Sequence, residues 1–71
     1  MTIIYEHDAL GGHFQMFVDG VQVHFNTVRE YTDERLNFMS LLMAGKLKLV
    51  PPHSHLHNQN TAIKTYQYEI P

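Results

Sequence analysis

His13-Phe14-Gln15-Met16-Phe17-Val18-Asp19-Gly20-Val21-Gln22-Val23-His24-Phe25-Asn26 alternates apolar and polar residues on both sides of Asp19-Gly20. An Asp-Gly pair between two alternating runs is the strongest short-range signal for a two-residue hairpin. The type I′ turn needs positive φ at both central residues, which Asp tolerates and Gly adopts freely. With the turn fixed there, Val18 faces Val21, Met16 faces Val23 and Phe14 faces Phe25. Side chains alternate across a strand, so these apolar residues share one face and a one-residue slip would scramble the match. Gln15, Phe17, Gln22 and His24 share the other face, with His24 set opposite Gln15.

Before the hairpin, residues 2–7 read as a short strand with Ile3 and Tyr5 on one face and Ile4 and Glu6 on the other. Gly11-Gly12 closes the loop between them as a turn. No Lys-Ser/Thr and no helix start follow it, so the phosphate-loop pattern is absent.

After the hairpin the period changes. Thr27 with Glu30 fits a capping box, and Thr32 before Asp33 and Glu34 offers a second helix start. The stronger periodicity predicts a helix over about residues 33–44, with Gly45 as its left-handed cap. Leu36, Phe38, Met39, Leu42 and Met43 form an apolar arc wider than the roughly 100° stripe one sheet needs, and Leu41 lies outside it. Either a long loop drapes over the excess or the helix meets another copy.

Residues 46–50 alternate again, with Leu47 and Leu49 inward, and Pro51-Pro52 ends that strand. Residues 61–70 read as the last strand, with Ala62, Tyr66, Tyr68 and Ile70 on one face and Lys64 interrupting it. The expected fold is a single α+β domain of two layers, one helix on an antiparallel or mixed sheet, in the order β-β-β-α-β-β. A β-grasp-like arrangement is the alternative.

A chain of 71 residues buries only about 60% of its unfolded surface and needs reinforcement. It has no cysteine, which excludes disulfides and thiolate chemistry and leaves a partner surface or a histidine-held metal. The formal net charge is −2, and Arg29, Arg35, Lys46, Lys48 and Lys64 are scattered, which argues against nucleic acid as a partner. The first residues lack a basic start before a long apolar run, and no apolar stretch approaches about 18 residues. A cytoplasmic protein without a membrane span is the expectation, and a cysteine-free chain suits a reducing compartment.

Histidine is abundant, six in the chain, and His53-Ser54-His55-Leu56-His57 places three at alternate positions. Such imidazoles can ligate Zn, Ni or Cu ions. On a straight strand, however, side chains two apart lie about 7 Å from one another and do not converge without a bend. The His-x-His-x-Asp-His pattern of metallo-β-lactamase-like hydrolases is not completed, since the Asp-His is missing. Solvated polar loops often carry such histidines.

The remaining residues give little for catalysis. His7 and Asp8 point to opposite faces of a strand, and neither Ser40 nor Ser54 has a nucleophile-elbow context. Asp33 and Glu34 read as helix-start acids, and Glu6 and Glu69 as solvated strand residues. Tyr66 and Tyr68 could stack bases, but without basic neighbours they read as core or edge residues.

Phe17 is costly on a polar face and calls for a cover. The candidate contact residues are therefore Phe17, Gln15, Gln22 and His24 on the hairpin, with Phe38 and Leu41 on the helix. The expected function is a non-enzymatic protein-interaction module, homodimeric, of the accessory or phage-type regulator kind that binds a host protein. The alternatives are a metal- or small-ligand-binding protein using His53, His55 and His57, and a weak nucleic-acid binder using Lys46, Lys48 and Lys64.

Overall fold

In the computed structural model, which describes residues 1–8, 12–52 and 63–71, Asp19 has φ 49° and Gly20 φ 85°, the pair of positive values the hairpin turn requires. The turn is also tied to the neighbouring strand. Thr2 N–H donates to the Asp19 carboxylate at 2.8 Å, and Asp19 N–H returns a bond to the Thr2 carbonyl at 2.8 Å. Asp is thus used twice, once for its tolerance of left-handed backbone and once as an acceptor.

The elements are β1 (Thr2–Asp8), β2 (Phe14–Val18), β3 (Val21–Gln22), α1 (Val28–Met43), β4 (Lys48–Val50) and β5 (Ile63–Glu69), the order expected from sequence. One sheet runs β3-β2-β1-β5-β4, with every pairing antiparallel. The mixed-sheet and β-grasp-like alternatives are therefore not formed. The first and last strands lie side by side at the centre, and Thr2 Oγ1 donates to Glu69 Oε2 at 2.6 Å where they begin and end.

The register matches the hairpin reading as far as the ladder extends: Val18 pairs with Val21, Phe17 with Gln22, and Val23 N–H still reaches the Met16 carbonyl at 2.8 Å. Beyond Gln22 the strand ends earlier than the alternation implied. Phe14 and Phe25 nevertheless stack, with centroids 6.4 Å apart, so the side chains keep the facing that the backbone gives up.

The helix begins at Val28, not near Asp33. Thr27 decides this: its Oγ1 accepts from Glu30 N–H at 3.1 Å, and Glu30 reaches back to Asn26 N–H at 3.0 Å. That reciprocal cap satisfies N-terminal donors that Thr32, already inside the helix, cannot serve. At the other end Gly45 has φ 71°, its N–H reaches the Leu42 carbonyl, and Lys46 N–H reaches the Leu41 carbonyl at 3.0 Å. These bonds make a Schellman cap. The cap also explains why β4 starts at Lys48 rather than Lys46, whose N–H is already spent.

The layer between helix and sheet is built from Ile3, Tyr5, Phe14, Met16 and Phe38, with Tyr31, Leu41, Leu47, Tyr66, Tyr68 and Ile70 packed around them. Phe38 sets its ring 5.2 Å from Tyr5, 5.6 Å from Phe14 and 5.5 Å from Tyr66, touching three strands at once. Leu49 pairs with Tyr66 on this layer's side, but at the sheet edge it stays exposed, contrary to the inward reading.

The sheet's other face holds the larger surprise. Glu6, read from sequence as solvated, is 2% exposed and accepts a 2.7 Å bond from the buried Thr65 hydroxyl. Ile4 and Phe17 are buried beside it. Alternation alone places Glu6 on the second face and assumes that face is wet. Here it is not.

Candidate interaction surface

Phe17 is 8% exposed and Phe38 5% within a single copy, so neither presents itself to a partner. Gln15 and Leu41 are half-buried, and Gln22 and His24 are exposed. His24 does not face Gln15 in a ladder, because the ladder ends at Gln22, two residues earlier. Gln22 takes that contact, donating its amide to Gln15 Oε1 at 3.2 Å.

The helix rotation explains the reassignment. Packing of Phe38 among the strand rings turns Tyr31, Glu34, Phe38 and Leu41 onto the inner face, where they recur at helical spacing. The remainder of the apolar arc then points away from the sheet. Val28 is 82% exposed, Leu36 62% and Met43 84%, with Met39 also open between the last two. These residues, with Thr32, recur at intervals of about one helical turn and make one stripe along the outer side. The excess width seen in the sequence is real, but it lies on Leu36, Met39 and Met43 rather than on Phe38 and Leu41.

At the N-terminal end the stripe runs into a cleft of about 510 Å³ between residues 22–26 and the first turns of α1. Its walls include Phe14, Phe25, Tyr31 and Val28. Tyr31 meets Phe14 and Phe25 edge-on, at 5.8 and 5.6 Å. The Arg35 guanidinium lies 5.7 Å from the Phe14 ring centre and donates to the Tyr31 hydroxyl at 3.1 Å. A cation held over aromatic faces and hydrogen-bonded at its tip is well fixed, so this wall of the cleft is preformed.

Among the described residues, chemistry-bearing groups do not converge. His7 stacks on Tyr66 and meets Phe38 edge-on, and its Nδ1 meets the Asp8 carbonyl at 2.7 Å, while the Asp8 carboxylate accepts from Gly12 N–H at 2.9 Å. Asp33 lies 4.0 Å from Arg29, one turn back, rather than capping the helix. Tyr66 and Tyr68 pack against the core, in line with their reading as core or edge residues. Lys48 and Lys64 fall on opposite faces of the sheet, since one pairs with Gln67 and the other with His7. They therefore do not form one basic patch.

His53, His55 and His57 lie outside the described residues. Among the described residues no group of three or more His, Asp or Glu side chains could hold a metal ion. No helix among them is long and apolar enough to cross a membrane. No protein-family model, curated protein or solved structure matches this chain.

Proposed function

We propose that the chain is a non-catalytic protein-interaction module whose contact surface is the outer face of α1. The observation that carries this is the open stripe of Val28, Leu36, Met39 and Met43. Single exposed apolar residues are ordinary, but an aligned row of them marks a surface that another molecule covers. Fully burying each such side chain is worth about 1.5–3 kcal/mol, so the row offers substantial binding energy. Methionine suits this use, because its unbranched side chain adapts to the surface it meets. A regulator or accessory subunit needs no more than such a face on a rigid support, and the capped helix provides one.

The test uses Leu36→Glu and Met43→Glu, both at exposed positions, so the helix content seen by circular dichroism should not change. The wild-type chain should retain a stoichiometric protein partner, itself included, and both variants should lose it. Equal retention by wild type and variants would reject the helix face as the contact surface.

A further inference from the structure

Building on the interaction-module reading, we infer that the occupant of the α1 outer face is a second copy of this chain, laid antiparallel about a twofold axis near Leu36. The stripe is self-complementary. With one helix reversed over the other, Val28 falls on Met43 of the second copy, Thr32 falls on Met39, and Leu36 lies close to its own counterpart. A twofold contact requires that relation, in which residue i meets j and j meets i.

The electrostatics favour the same direction. The last turn of α1 contains no basic residue to offset its negative end. Arg29 flanks the stripe at the opposite end, and its side chain is almost fully exposed. In the antiparallel pair, each Arg29 comes alongside the last turn of the other copy, a favourable position for a cation. Asp33 shares that flank and comes near Ser40 of the second copy, a hydrogen-bonding group. A parallel pair would instead align both helix dipoles.

The cleft completes the fit. Met43 of the second copy lands at Val28, on the cleft's lip, where a flexible thioether can enter beside Tyr31. The helix contact is about 22 Å long. A contact one helix wide and this short belongs with the small interfaces below the roughly 800 Å² per partner of the standard class, so a weak, concentration-dependent pair is expected. The filled cleft at each end adds to it.

Sedimentation of the full chain from micromolar to millimolar concentration should show the 8.3 kDa species doubling its mass, and Leu36→Glu should abolish the change. The absence of native cysteine makes cross-linking a clean test of direction. Under mild oxidation, Leu36→Cys should link to itself at least about tenfold faster than Met43→Cys does, because proximity sets the effective concentration. In the antiparallel pair, two Met43 positions are about 22 Å apart, too far for a disulfide. A mixture of Val28→Cys and Met43→Cys chains should link to each other. Faster self-linking of Met43→Cys would overturn the antiparallel arrangement, and a dimer that survives Leu36→Glu would overturn the face. A monomer at every concentration would overturn the second copy alone. The outer-face reading itself fails separately, if the wild-type chain stays monomeric and Leu36→Glu leaves a foreign protein partner in place.

Discussion

Asn37 donates its side-chain amide to the hydroxyl of Tyr5 over 3.3 Å, linking the helix to a ring on the central strand that is fully buried. Burial raises the Tyr5 pKa above its ordinary value of 10.0, the Glu34 carboxylate adds to the rise, and the Asn37 bond opposes it. A phenol with a raised folded pKa keeps its proton longer in the folded state. Its contribution to stability is whole below pH 10.0 and is lost as pH climbs from there through the folded value. Near-UV absorbance titration should therefore show a tyrosine step above pH 10.0. Glu34→Gln should bring that step to lower pH and shrink the alkaline loss of stability. The absence of any tyrosine step above pH 10.0 would contradict the raised value.

The same Glu34 carries a second consequence. Its Oε2 is buried and accepts no hydrogen bond from the described residues. A buried acceptor left unmade is a net loss, whereas an apolar side chain of similar length keeps the packing without it. Glu34→Met should raise the urea midpoint, corresponding to a gain of about 1 kcal/mol. A fall in stability would show that the carboxylate contributes something beyond these contacts.

The two possible helix starts differ in their energetic signatures. Thr27→Ala removes the hydroxyl that accepts from Glu30 N–H and should cost about 1 kcal/mol. Thr32→Ala, inside the helix and exposed, should change stability by less than about 0.5 kcal/mol. At the far end, Gly45→Ala puts a Cβ on a residue with φ 71° and should cost about 1 kcal/mol. Denaturant melts of the three variants decide the matter. A larger loss from Thr32→Ala than from Thr27→Ala would place the start where the sequence periodicity had put it.

These contrasts show where the sequence was readable. The hairpin was legible because Asp19-Gly20 and the alternation around it are local constraints that agree. The helix caps were legible too, yet two overlapping start signals compete within residues 27–33, and hydrogen bonds to Asn26 and Glu30 select the first. The inner side of the helix was not legible, since Leu36 and Phe38 are both apolar. Only tertiary packing distinguishes them, with Phe38 fitting among rings from three strands. The candidate surface followed that rotation: its existence could be read from the excess apolar arc, while its residues could not. Glu6 was misplaced for a different reason, because alternation reports which face a residue is on and says nothing about whether that face is dry.

Phe38 and Leu36 also make a paired test of that rotation. Phe38→Ala empties the centre of the aromatic cluster and should cost about 3–5 kcal/mol. Leu36→Ala, on the outer face of the same helix, should shift monomer stability by less than about 0.5 kcal/mol. Unfolding at concentrations too low for association separates the monomer's response from any effect of pairing. Similar losses for both would mean that the helix is turned differently on the sheet.

The buried pair on the second face gives the remaining prediction. Thr65→Val keeps the volume and the branched shape but removes the donor to Glu6 Oε2, now 2.7 Å away. The carboxylate is 2% exposed, so water cannot simply replace the lost bond. The expected cost is about 1–3 kcal/mol, the penalty for weakening the satisfaction of a buried charged group. In a Glu6→Leu background the acceptor is gone, and Thr65→Val should then cost less than it does alone, giving a positive coupling in the double-mutant cycle. If the two substitutions are additive, the bond contributes no coupling and Thr65 is selected for its shape alone.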